Sequence, residues 1–93
     1  MNLTLFANDS PRMGEQHPTV TEMFCWLMCF FAQGEKEADK LYPDVKRHFV
    51  CFRSGCRNRA RMALDCTETH KDHPSVAENY EQRRRALLSR YWL

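Results

Sequence analysis

Apolar residues recur at helical spacing along the stretch from Asp44 to His70. At about 100° per residue, seven of them fall within one narrow sector of a helix: Val45, Phe49, Phe52, Cys56, Ala60, Ala63 and Thr67. This spacing predicts one long helix, continuous or gently kinked at Ser54-Gly55, whose apolar stripe faces a core. Pro43 and Asp44 favour a helix start at its beginning.

Two further helices are predicted from their capping sequences. Thr19 to Glu22 reads Thr-x-x-Glu, a capping box, and the helix that it starts should run to Gly34. Ser75 to Glu78 reads Ser-x-x-Glu and predicts the start of a last helix. Residues 35–42 predict a short solvated helix or a turn.

The N-terminal residues 1–17 show no helical period, and Asp9-Ser10-Pro11 indicates a turn. We therefore expect residues 1–17 to form an extended arm and residues 18–93 to form one helical domain. Three Gly and four Pro leave too few turns for an all-β fold. The expected fold is all-α, a small bundle of three main helices with an extended N-terminal arm.

A cationic stripe lies beside the apolar stripe of the predicted long helix, formed by Lys46, Arg53, Arg57 and Arg61. Arginine binds carboxylates and phosphates equally well, so an acidic protein partner, nucleic acid and a merely solvated face all fit this stripe. The net charge of +2 argues against a DNA mimic and is too small to establish nucleic-acid binding. We predict that these four residues, together with Arg83 and Arg84 of the last helix, contact a partner.

The first helix is apolar nearly all round. Val20, Phe24, Leu27 and Phe31 share one face, and Trp26, Met28, Cys29 and Phe30 cover much of the remainder. Such a helix is either central in the fold or partly reserved for a partner. Trp26 and Met28 are therefore added to the predicted partner-binding residues. The apolar run 23–32 is shorter than the roughly 20 residues that cross a bilayer, so no membrane is expected.

The five cysteines, with no secretory signal in front of them, indicate thiols in a reducing compartment, and the cytoplasm is expected. In a continuous helix Cys51 and Cys56 would point about 140° apart, too divergent to share an ion. The alternative metal site joins two i, i+4 pairs, Cys25 with Cys29 and Cys66 with His70. The prediction is that no structural metal is present.

Catalytic motifs are lacking in the sequence. There is no glycine-rich phosphate loop and no serine nucleophile elbow. We expect a non-enzymatic protein without a cofactor. His73-Pro74 lies in a polar connection, where Pro74 is either an ordinary trans proline at a helix start or a recognition site for a host prolyl isomerase.

Three segments resemble the small anti-RecBCD accessory proteins of lambdoid phages: the DSPR turn at 9–12, GEKEAD at 34–39, and ALDC…HKDHPSVAENYEQRRRALL at 63–88. The resemblance implies a non-enzymatic phage protein that binds the host recombination nuclease and alters its activity in favour of phage recombination. It would work in the host bacterial cytoplasm by protein–protein docking. The rival interpretation is a small basic nucleic-acid-binding module, stabilised by zinc in one version.

Overall fold

The helices found along the chain confirm the predicted all-α class. The computed structural model describes residues 17–51 and 54–92, and no strand is present in either range. Its α-helices are α1 (Val20–Gln33), α2 (Glu35–Leu41), α3 (Ser54–Glu68), α4 (Pro74–Ala77) and α5 (Tyr80–Tyr91), with a 3₁₀ helix at Lys46–Val50. The predicted N-terminal arm lies outside the described residues, except for His17.

Helix α1 begins and ends as its sequence predicts. The Glu22 N–H donates to Thr19 Oγ1 at 3.2 Å, and the Thr19 N–H donates to Glu22 Oε1 at 3.0 Å, which is a complete capping box. At the other end Gly34 has φ of +104°, a backbone conformation that glycine adopts without steric cost. These two signals set the bounds of α1 independently of tertiary packing.

Helix α1 is the centre of the fold and packs against α2, α3, α4 and α5. Its apolar circumference is explained by this position, because every face except a narrow strip meets another helix. The side chains of Met23, Trp26, Leu27 and Phe31 are all fully buried. None of the helices in the described ranges combines the length and the hydrophobicity that crossing a bilayer requires.

The predicted continuous helix from 44 to 70 is wrong. The chain forms the 3₁₀ helix first, becomes extended at Cys51 (φ −70°, ψ 130°), and starts α3 at Ser54. Ser54 and Gly55 are weak helix formers, and in the first turn of α3 they cost less than they would in a helix interior. Phe52 lies outside the described residues, and the other six positions of the predicted apolar stripe are buried on both sides of the break: Val45, Phe49, Cys56, Ala60, Ala63 and Thr67.

Phe49 packs the 3₁₀ helix against α1 and against the C-terminal end of α5. Its ring centroid lies 5.1 Å from that of Trp26 in α1. It also lies 5.8 Å from the ring of Tyr91 and 5.2 Å from the ring of Trp92. The 3₁₀ helix is therefore held between α1 and the end of α5.

The C-terminal helices begin at residues other than the predicted one. His73, and not Ser75, caps α4, because the Ser75 N–H donates to His73 Nδ1 at 3.2 Å and Pro74 takes the first helical position. Helix α4 ends after four residues, and Asn79 (φ −112°, ψ 0°) separates it from α5. The predicted second capping box is therefore wrong, and the long C-terminal helix begins at Tyr80.

Candidate functional site

The predicted cationic stripe does not survive as one surface, because its residues lie on two different elements. Lys46 is on the 3₁₀ helix, whereas Arg57 and Arg61 are on α3. Arg53 lies outside the described residues. The extended backbone at Cys51 changes the direction of the chain between the two elements, so the helical arc that joined these four positions does not exist.

Lys46 holds the 3₁₀ helix against α2. Its Nζ donates to Asp39 Oδ2 at 2.8 Å and to Glu35 Oε2 at 3.0 Å. Hydrogen bonds to Asp39 and Glu35 raise the pKa of Lys46. The other Asp39 oxygen accepts from Trp26 Nε1 at 3.1 Å, so the lysine belongs to a network that reaches the core. Lys46 is thus engaged within the protein.

Two arginines of α5 also form contacts within the protein. Arg83 Nη1 donates to the carbonyls of Phe30 at 3.1 Å and Phe31 at 2.7 Å, in the last turn of α1. Arg84 Nε lies 2.9 Å from Glu68 Oε1 at the end of α3. Both arginines are half-buried. Their contacts fasten α5 to the two other long helices, a role that sequence reasoning missed.

Within the described residues, Arg57 and Arg61 of α3 lack the internal ion pairs and hydrogen bonds of the other predicted cations. They lie one turn apart on α3, and no ion pair or hydrogen bond joins either of them to another residue in the described part of the chain. Arg61 is exposed, and the neighbouring Met62 has 55% of its surface exposed. We call the surface that they form the outer face of α3; its members are Arg57, Asn58, Arg61, Met62 and Asp65.

Trp26 is not a surface residue, and the prediction that it contacts a partner is wrong. Its side chain is 0% exposed. The ring stacks on Phe30 with centroids 5.2 Å apart and planes 9° from parallel, and it meets Phe49 edge-on. Because its Nε1–H is bonded to Asp39, the tryptophan is satisfied inside the protein.

Met28 lies on the other side of α1 and is half-buried. It lines an open groove of about 370 Å³ together with Cys29, Tyr42, Val76 and other residues of α1, α2 and α4. His73 and Ser75 also line this groove, and Pro74 between them is exposed. Pro74 is a trans proline at the first position of α4; its recognition by a prolyl isomerase stays a prediction.

The alternative metal group drawn from the sequence is not brought together. Cys25 is hydrogen-bonded to Tyr42, and burial raises the pKa of its thiol, as it does for Cys29 and Cys66. The His70 ring packs against Phe24 at 5.4 Å. Among the described residues, a different set of cysteines and histidines comes together.

His17, His48 and Cys56 form the one group of three metal-ligating side chains in the described ranges, and their ligand atoms all lie within 4.8 Å of one another. His17 Nδ1 is 3.1 Å from His48 Nδ1. Cys56 Sγ is 2.7 Å from His17 Nδ1 and 3.9 Å from His48 Nδ1. His48 and Cys56 are buried and His17 is partly buried. We call these residues, with Cys51, the His/Cys cluster.

Cys51, at the extended end of the 3₁₀ helix, interacts with Cys56 and lies outside the group of three converging ligand atoms. Burial raises the pKa of the Cys56 thiol, and a hydrogen bond with Cys51 raises it further, whereas Arg59 lowers it. Arg59 also donates from Nε to the Pro18 carbonyl at 3.1 Å, which fixes the chain next to His17. The sequence argument that Cys51 and Cys56 diverge is therefore wrong, because it assumed a continuous helix between them.

Sequence reasoning missed His17 because it assigned that residue to the arm. The spacing His-x2-Cys-x4-Cys at 48, 51 and 56 was the available signal, and it becomes informative only with a chain break after Cys51. No family model matches this chain, and no curated protein or solved structure matches it either. The likeness to anti-RecBCD accessory proteins rests on the three sequence segments alone.

Proposed function

We propose that this chain is a non-enzymatic helical protein that docks onto an acidic surface of a partner protein through the outer face of α3. The observation that carries the proposal is the contrast among the cations that the sequence predicts to contact a partner. Lys46, Arg83 and Arg84 are engaged within the described protein, whereas Arg57 and Arg61 are left for an external anion. On the sequence resemblance given above, the partner that we propose is the host recombination nuclease, in the bacterial cytoplasm.

A protein partner fits this face better than nucleic acid does. Met62 exposes a large apolar side chain on the same face, and Met and Arg are both enriched in protein–protein interfaces. Two arginines can neutralise only about two phosphates, too few for tight DNA binding.

The test is a double charge reversal, Arg57→Glu with Arg61→Glu, measured as affinity for the purified nuclease complex by calorimetry. We expect the affinity to fall by about 100-fold, since a loss of about 1.4 kcal/mol at each of two contacts gives a factor of ten each. The unfolding free energy should stay within about 0.5 kcal/mol, because Arg57 is only partly buried, Arg61 is exposed, and neither has an ion pair or hydrogen bond within the described residues.

The matched control is Lys36→Glu with Lys40→Glu. These two exposed lysines have the same i, i+4 spacing on α2, so the control changes the charge by the same amount elsewhere. The control should bind as the parent does. Equal affinity for the α3 variant and the parent would refute docking through this face, and equal weakening by both variants would show a general charge effect instead.

Titration of duplex and single-stranded DNA at several salt concentrations distinguishes nucleic-acid binding from docking onto a protein. Two phosphate contacts predict a slope of about −2 in log affinity against log salt. DNA binding with that slope, abolished by the α3 variant while the affinity for the nuclease is unchanged, would favour the rival function over docking.

A further inference from the structure

We propose that His17, His48 and Cys56 bind one divalent metal ion, with zinc the preferred ion, and that Cys51 beside Cys56 moves in as the fourth ligand. Two imidazole nitrogens and two thiolates are the donor set of many tetrahedral structural zinc sites. The four residues come from three segments that are distant in the sequence: the chain before α1, the 3₁₀ helix with its extended end, and the first turn of α3. This proposal is independent of docking through α3.

The distances fit a common ion. Zn–N bonds of about 2.05 Å and Zn–S bonds of about 2.3 Å place tetrahedral ligands about 3.4 Å apart for two nitrogens and about 3.6 Å apart for nitrogen and sulfur. The corresponding separations here are 3.1 Å between the two Nδ1 atoms, and 2.7 Å and 3.9 Å from the sulfur of Cys56. Shifts of less than about 1 Å bring all three to these ideal values.

The ligand atoms of the cluster lie very close together. Cys56 Sγ is 2.7 Å from His17 Nδ1, which is short even for N–H···O bonds, and sulfur is larger than oxygen. The two Nδ1 atoms are 3.1 Å apart. Arg47 Nε donates to His48 Nε2 at 3.4 Å. An ion bound by both Nδ1 atoms and the sulfur would give this close approach a physical cause.

Metal binding requires one rearrangement outside the cluster. With the ion on Nδ1, His48 Nε2 carries a proton and can no longer accept from Arg47. The Arg47 side chain is 68% exposed, so it can turn into solvent. Arg59, which contacts Cys56, stays in place and stabilises the negative charge of the thiolate.

The site also accounts for the break in the predicted long helix. Cys51 and Cys56 can converge only because the backbone is extended at Cys51, and the ion would hold the two halves in that arrangement. It would also fix the chain that enters α1 through His17. The ion therefore acts as a structural clamp between segments that are joined by few hydrogen bonds.

The experiment is metal analysis of the full chain. Protein is purified with a non-chelating phosphine reductant, stripped under denaturing conditions, refolded with zinc, and its metal content is measured by native mass spectrometry. We expect one zinc per chain. Refolding with cobalt should give the intense visible bands of tetrahedral Co²⁺ and a near-ultraviolet thiolate-to-cobalt band.

Variants assign the ion to the cluster. His17→Ala and Cys51→Ser remove ligands that are only partly buried, so these variants should fold, as circular dichroism will show; each should weaken zinc affinity more than about 100-fold. The matched controls are Cys66→Ser and His70→Ala, which change the alternative group and should retain one zinc. Absence of bound zinc in the refolded parent, or zinc retained at parental affinity in both His17→Ala and Cys51→Ser, would overturn the proposal.

Discussion

Replacing Arg83 by Met tests whether this arginine serves the fold or a partner. The guanidinium donates to the carbonyls of Phe30 and Phe31 in the last turn of α1, and the Phe30 carbonyl also accepts from the Gly34 N–H at 2.9 Å. A hydrogen bond with a charged donor contributes about 1.5–3 kcal/mol where it is buried, and partial exposure reduces this to about 1 kcal/mol for each bond. We therefore expect Arg83→Met to lower the unfolding free energy by about 2 kcal/mol. Arg and Met have similar helix propensities, so α5 itself is not perturbed.

The assay is urea unfolding followed by circular dichroism, with thermal unfolding as a second measurement. A loss of about 2 kcal/mol corresponds to a Tm decrease of about 8–16 °C in a domain of this size. Arg85→Met is the matched control, because Arg85 is exposed on the same helix and has no hydrogen bond or ion pair in the described ranges. It should change stability by no more than about 0.5 kcal/mol. If the two variants unfold at the same urea concentration, the structural role assigned to Arg83 is wrong.

Two further predictions concern a buried hydroxyl and a carboxylate. Thr67→Val removes the 3.1 Å hydrogen bond to the Tyr80 hydroxyl and the hydrogen bond that Thr67 Oγ1 donates to the Leu64 carbonyl, and it should cost about 1–2 kcal/mol, measured by thermal unfolding. Burial raises the pKa of Glu35, but hydrogen bonds from Lys46 and Tyr91 outweigh it, and the net pKa lies below its ordinary value of 4.5. This lowered pKa stabilises the fold above pH 4.5, and the stabilisation is lost as the pH falls below that value; Glu35→Gln should flatten this decline.

Controls for these two variants come from the same helices or their neighbours. Thr69→Val changes an exposed threonine and should shift stability by no more than about 0.5 kcal/mol. Glu81→Gln removes an exposed carboxylate that has no ion pair in the described ranges. A pH dependence of stability that is as steep in Glu35→Gln as in Glu81→Gln would contradict the role assigned to Glu35.

Local signals in the sequence were sufficient for α1 and α2. The capping box at Thr19 and the glycine at 34 act through the backbone of a few neighbouring residues, so they could be recognised without knowledge of the tertiary structure. The side of the chain that is buried was also predicted correctly from Val45 to Thr67. Burial depends on apolar spacing within an element, and Cys56, Ala60, Ala63 and Thr67 keep helical spacing within α3.

The candidate sites could not be predicted, because they depend on contacts between residues that are far apart in the sequence. The break at Cys51 is set by long-range packing and removed the geometric argument against a shared ion for Cys51 and Cys56. Which cations are free for a partner also depends on distant acceptors: Lys46 is engaged because α2 presents carboxylates to it, and Arg83 because α1 ends nearby. No spacing rule within a single helix carries that information.

Phe49 packs between Trp26 and Trp92, so the C-terminal turn helps to hold the 3₁₀ helix in the fold. Its contacts with Trp92 join residues that are 43 positions apart in the sequence, so the entropy of closing a long loop is offset only when α5 has docked. The 3₁₀ helix also packs against α3, and α5 adds the Tyr91 and Trp92 rings to the packing around Phe49. Amide hydrogen exchange of residues 46–51 and of the last turn of α5 is therefore expected to report one shared opening event, although the two segments lie far apart along the chain.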